Sequence, residues 1–151
     1  MKEIFLNHSK IALVDDSDFD FLSQWKWRYD SKGYASRWES HKIVRMHRLI
    51  MGNPEGKLID HINMDKLDNR RENLRVCTNS ENLYNRPKNK NNTSGYKGVT
   101  WFKRDSKWRA AIMIDRKMNH LGYFEDVVEA AKAYDIAANM YFGEFARLNF
   151  S

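Results

Sequence analysis

Leu58-Ile59 and Leu74-Arg75-Val76, with a long polar loop from Asn63 to Asn73 between them and Ser80 to Arg86 as the expected helix behind them, decide what this chain is built around. The two apolar runs have the length of short strands, and the stretch between them has the composition of an exposed loop. Strand, long loop, strand, helix is therefore the expected order, with Asp60 and His61 directly after the first strand.

Upstream, Ile11 to Val14 reads as a buried strand, Asp15 to Asp18 as a turn with N-cap chemistry, and Phe19 to Trp25 as a short helix with apolar positions at Phe19, Leu22 and Trp25. Trp27 to Tyr29, Gly33 to Ala35 and Ile43 to Leu49 are three further strand candidates, and Gly52-Asn53-Pro54-Glu55-Gly56 punctuates the chain before the central motif. Residues 1–45 carry no chemistry that can be named. Trp25, Trp27 and Trp38 read as core, and the segment is expected to pack beside the central motif or to extend its binding surface.

Downstream, Pro87 to Gly95 has no large apolar residue, so an exposed linker is expected at 87–94. Beyond it Lys97 to Phe102, Trp108 to Asp115 and Asn119 to Phe124 read as strands. Val127 to Tyr141 reads as an amphipathic helix, with Val128, Ala131, Tyr134, Ala137, Ala138 and Tyr141 at three- and four-residue steps. The fold class is α+β, with an N-terminal α+β region at 1–86, a linker at 87–94, and a three-stranded antiparallel sheet packed on one helix at 95–151.

A chain of 151 residues holds one ordinary core or two small ones. Its net charge of +6 favours a polyanionic partner, because each neutralised phosphate releases a condensed counterion. Cys77 is the only cysteine, which excludes an internal disulfide and a four-thiolate zinc site and fits a reducing compartment. No run is long or apolar enough for a signal peptide or a membrane span, so the expected location is cytoplasmic.

Asp60-His61, then Asn69-Arg70-Arg71-Glu72-Asn73-Leu74-Arg75, then Glu81-Asn82 resembles the HNH nuclease motif over about Arg45 to Arg86. The resemblance implies a ββα-metal unit (about 45–86) in which Asp60 and Asn82 hold one divalent ion, His61 is the general base and Asn73 holds the His61 ring. Oxygen donors of that kind suit Mg²⁺ or Mn²⁺. The residue types also make chemical sense on their own. Phosphodiester hydrolysis needs a deprotonated water and a cation against developing charge, and a neutral imidazole can take the proton at cellular pH. His47 has no assigned role and is better read as structural than as a ligand. Arg48, Arg70, Arg75 and Arg86 are phosphate contacts or solvated surface, with nothing to choose between the two.

Gly95-Tyr96-Lys97-Gly98-Val99, Lys107-Trp108-Arg109-Ala110, Leu121-Gly122-Tyr123-Phe124, Glu129-Ala130-Ala131, Ala133-Tyr134-Asp135 and Leu148-Asn149-Phe150 are similar to the APETALA-two/ethylene-response-factor type of DNA-binding domain. That resemblance implies a sheet lying in the DNA major groove with the helix on its back. Alternation along the middle strand agrees, with Trp108, Ala110, Ile112 and Ile114 on one face and Arg109, Ala111, Met113 and Asp115 on the other. Thr100, Met113, Met118 and His120 stand where the plant pattern has Arg or Trp, so the plant recognition site is not inherited. Lys97, Lys103, Arg104 and Arg109 are the expected DNA contacts.

Together these readings describe a homing-type or free-standing endonuclease of phage or bacterial type, associated with the nucleoid through its double-stranded DNA substrate and with no membrane partner. One centre acts on one strand at a time, so double-strand cleavage needs a homodimer or two events. A non-catalytic, sequence-specific DNA-binding regulator is the alternative. Binding to RNA is disfavoured, because the major groove of an RNA duplex is too narrow for a sheet.

Overall fold

The computed structural model describes residues 1–150, and the chain separates into two units, Met1–Asn79 and Ser80–Ser151. In the first unit β1 (Lys2–Phe5) and β2 (Ile11–Val14) form an antiparallel hairpin, followed by helix α1 (Asp16–Leu22). A second sheet orders β3 (Arg28–Tyr29), β4 (Ala35–Glu39) and β5 (Lys42–Arg45) side by side and antiparallel, and the chain then enters α2 (Met46–Ile50). The third sheet is the hairpin of β6 (Leu58–His61) and β7 (Leu74–Cys77), the two central strands expected from the sequence.

One core serves all three sheets. Ile4, Ala12, Val14, Leu22, Trp27, Ala35, Met46, Ile50 and Leu74 are buried together, so β7 shares its hydrophobic anchor with the N-terminal hairpin. The loop between β6 and β7 is also sewn to that hairpin: Leu13 donates to the Leu67 carbonyl and accepts from the Asn69 amide, each at 2.8 Å. Asp15 accepts from the Arg71 amide at 2.7 Å, and the Arg71 guanidinium grips the buried carboxylate of Asp18 at 2.8 and 2.7 Å. β2 and α1 thereby brace the loop that follows His61.

Three local expectations need correction. The first helix runs from Asp16 to Leu22 instead of Phe19 to Trp25, because Asp15 gives its carboxylate to Arg71 and the helix presents Asp18 to the same arginine. The expected strand Ile43 to Leu49 ends at Arg45, where Met46, His47 and Ile50 turn inward at helical spacing. Trp38 is not core: it is 70% exposed, whereas Trp27 is buried. The strand β1 carried no signal strong enough to be expected.

In the second unit helix α3 (Asn79–Tyr84) begins at the division, residues 86–98 contain no helix or strand, and β8 (Val99–Phe102), β9 (Lys107–Ile114) and β10 (Lys117–Phe124) form an antiparallel sheet with β9 in the middle. Helix α4 (Val127–Phe142) starts at Asp126, whose side chain accepts from the amides of Val128 and Glu129. Its buried alanines at 130, 131, 137 and 138 let it lie close on the inner sheet face, against Val99, Ala110 and Ile112. At Gly98, with φ of 76°, a Cβ would sit 1.9 Å from the Tyr134 ring, so only glycine fits there. Asp135 accepts from the amides of Asn149 and Phe150, which pins the tail beside Lys97. No helix among the described residues is long and apolar enough to cross a membrane.

Candidate active site

Antiparallel pairing sets Asp60 opposite Arg75 and His61 opposite Leu74. Successive side chains of a strand alternate between faces, so Asp60 and His61 leave β6 in different directions. Asp60 is buried, and its Oδ2 accepts from Arg75 Nε at 3.1 Å and Nη2 at 2.8 Å. This is a close, nearly solvent-free ion pair, with side-chain exposures of 9% and 11%. Arg75 is therefore a partner of the carboxylate and not a solvated surface residue.

His61 is 5% exposed. Its ring meets His47 edge-on with centroids 5.0 Å apart, and the Tyr34 ring lies 4.9 Å from His47 and 6.0 Å from His61. Burial pushes the His61 pKa below its ordinary value, opposed by the Asn69 carboxamide and by Asp60, Asp65 and Asp68. The ring is thus held neutral at physiological pH, the state a base requires. Burial pushes His47 further, to about 3, with the neighbouring His61, Arg45 and Arg48 adding to the effect. The Tyr34 ring carries Arg45 at 5.0 Å and the Lys66 ammonium at 4.6 Å.

Asn73 is buried and works on the loop backbone: its Nδ2 donates to the Asp68 carbonyl at 2.8 Å and its Oδ1 accepts from the Asn63 amide at 2.9 Å. Its own carbonyl accepts from the Ile62 amide, which closes the loop directly behind His61. Asn69, fully buried in the same loop, donates its Nδ2 to the Leu67 carbonyl at 3.0 Å and is the largest of the influences that oppose the downward push on His61. Asn82 lies on α3, within the second unit. Arg48 donates to Asn53, Pro54 and Lys57, and Arg70 to Asp68 and Glu72. Arg86 is exposed.

The sequence did not point to Tyr34, Arg45, Lys66 or the Asp60–Arg75 pair. Only the pair left a signal, in two opposite charges placed to face each other across a hairpin. Among the described residues no group of three or more His, Cys, Asp or Glu stands together as a metal cage.

On the sheet of the second unit Arg109 lies on the outer face between Thr100 and Tyr123, its guanidinium 5.9 Å from the Phe102 ring. Phe102, Tyr123 and His120 continue that face as a chain of rings with centroids 5.2 and 5.3 Å apart. Lys103 is exposed at the β8–β9 turn, and Arg104 there is paired with Asp105. Lys97 differs from these three. It is half-buried, donates to the Tyr84 carbonyl at 2.6 Å, and is pushed down to about 8 by burial and then by Arg147. Trp101 lies edge-on to Trp108 at 4.9 Å and remains exposed.

A family model described as HNH endonuclease matches residues 44–84. The uncharacterized HNH endonuclease L560 of Acanthamoeba polyphaga mimivirus is 29% identical over 144 residues, covering 91% of this chain and 74% of that protein. Protein 3.8 of Escherichia phage T7 is 33% identical over 94 residues, 62% of this chain and 77% of its own length. A C-terminal part of the chain is 39% identical over 59 residues to the APETALA2-like protein 2 of Oryza sativa, of which it covers only 14%. The family match runs from β5 through α3 and so contains Asp60, His61, Asn73 and Asn82, while the viral relatives are matched over most of their own length. This chain belongs to the HNH endonuclease family and is a DNA-cleaving enzyme.

Proposed function

We propose that the chain hydrolyses a DNA phosphodiester in a divalent-metal-dependent reaction, with His61 as general base, near a site bound by the outer face of its C-terminal sheet. The observation that carries this reading is the buried imidazole of His61, held neutral beside Asp60 at the end of β6. In that position the ring takes the proton of the attacking water. Its packing against His47 and Tyr34 fixes the direction in which it does so. Asn73 holds the loop closed, and Asn69 supports the ring.

The donor chemistry fits a hard ion: Asp60 offers carboxylate oxygen, its orientation fixed by Arg75, and Asn82 offers a carboxamide oxygen. Asp60 and Asn82 would hold Mg²⁺ or Mn²⁺, with water and phosphate completing the shell. When bound, such an ion supplies charge neutralisation on the phosphate and the leaving alkoxide.

Lys103, Arg104 and Arg109 surround one end of the outer sheet face and are the proposed phosphate and base contacts. Lys97 reaches DNA only by releasing the Tyr84 carbonyl. A homodimer would bring two centres to the two strands. Nicking of supercoiled plasmid in Mg²⁺ or Mn²⁺ tests the reading: His61→Ala is expected to lower the rate by roughly 10²–10⁴-fold while duplex binding persists. Unchanged nicking by that variant would remove His61 from the mechanism. Linear product formed in step with nicked circles as protein concentration rises would support a dimer.

A further inference from the structure

Trp38 stands on β4 with 70% of its surface in water, opposite Ile43 of β5, itself 52% exposed. It borders an open groove of about 460 Å³ lined otherwise by Trp25, Lys26, Arg28 and Arg37. The Arg37 guanidinium lies over the Trp25 ring at 4.2 Å and is bound by both carboxylate oxygens of Glu39, at 3.0 and 3.2 Å. That stack fixes Trp25 and neutralises Arg37. Lys26 and Arg28 are exposed and carry no ion pair among the described residues, so they are the cations the groove offers.

Two indoles with two available cations beside them suit a planar ring attached to an anion. A nucleobase stacks on an aromatic face whatever its sequence, and its phosphate takes the neighbouring charge. A paired duplex presents no bare base face along its length, whereas an unpaired strand does. We propose that the Trp25–Trp38 groove is a stacking site for an unpaired nucleobase of DNA, with Trp38 as the platform and Lys26 and Arg28 taking the adjoining phosphate. The site goes beyond the hydrolytic reading and rests on it only in taking DNA as the substrate.

Fluorescence anisotropy of the full chain in EDTA tests it, with one labelled duplex that is blunt and one that carries a short single-stranded oligothymidine tail. Wild type is expected to bind the tailed probe more tightly. Trp38→Ala is expected to weaken the tailed complex by about tenfold and leave the blunt one unchanged, while Trp38→Phe keeps most of the affinity. Lys26→Glu with Arg28→Glu is expected to weaken the tailed complex selectively. The proposal is overturned if the tail gives wild type no advantage, if Trp38→Ala binds both probes as wild type does, or if it loses equally on both. Because no ion or cleavage is involved, a failure of His61 or of metal dependence in the plasmid assay is a separate result.

Discussion

Arg75 places two guanidinium nitrogens on a single carboxylate oxygen of Asp60, directly across the β6–β7 hairpin and almost out of water. The residue expected to face an ion is therefore held by a fork that sets its orientation. Arg75→Met would take the paired cation away from that buried carboxylate, and is expected to cost about 3–5 kcal/mol of stability. Arg75→Lys keeps the charge but not the paired geometry, so it is expected to melt closer to wild type and still nick DNA more slowly. Thermal melts and plasmid nicking on the two variants separate the fold's need for the charge from the site's need for the fork. Equal nicking by Arg75→Lys and wild type would show that the fork does not matter.

His47 makes the fold sensitive to acid. The folded chain keeps the ring neutral down to about 3, whereas the unfolded chain takes up the proton near the ordinary 6.5. Between those values the unfolded state binds the extra proton, so this contribution is fully present above 6.5 and is lost as pH falls toward 3. The groups around the ring are His61, Arg45 and Arg48, which add to the downward push, and Asp30, which opposes it. His61 acts in the same sense, while Asp68, held low by Arg70, adds a loss only below its ordinary 3.8. Melting temperature is expected to decline steadily below pH 6.5, and His47→Phe is expected to flatten that decline. A profile as steep in the variant as in wild type would assign the acid sensitivity elsewhere.

Asn69 and Asn73 are expected to fail differently. Removing the Asn73 carboxamide orphans the buried Asp68 carbonyl, at a cost of about 1–3 kcal/mol, and leaves the Asn63 amide of the exposed loop to water. Asn73→Ala should therefore lower the melting temperature and nicking together. Asn69→Ala removes the group beside the imidazole, so its rate at saturating DNA should fall with KM little changed. The opposite pattern, with Asn73→Ala losing rate but no stability, would make Asn73 the direct support of His61.

Much of this was legible in the sequence, and the exceptions share a cause. The β6–β7 hairpin, the C-terminal strands and α4 are each specified by local periodicity, and the structure has them within a few residues of the expected bounds. What could not be read depends on long-range partners. Asp15 looks like an N-cap until Arg71 takes it, and Met46 looks like strand until α2 turns it inward. Trp38 looks like core because nothing in its neighbours says which face of β4 is open. The same limit applies to the site. Asp60 and His61 are adjacent and visible, but Tyr34 joins His61 from a distant strand connection, and Asn69 and Asn73 cannot be ranked until the loop is closed.

On the sheet, Arg109 and Lys97 are expected to separate into a DNA contact and a structural bond. Arg109 lies on the outer face against Phe102, whereas Lys97 donates to the Tyr84 carbonyl and sits beside the tail that Asp135 pins. Each phosphate neutralised by a side-chain cation adds about 0.9 to the steepness of log affinity against log salt. A Lys103→Ala, Arg109→Ala pair should therefore reduce that slope by roughly one to two in duplex binding, with little change in melting temperature. Lys97→Met should instead lower the melting temperature and leave the slope in place, because the Tyr84 carbonyl is deprived of its donor while every phosphate keeps its cation. A Lys97→Met protein that melts like wild type and shows the shallower slope would return Lys97 to the DNA surface.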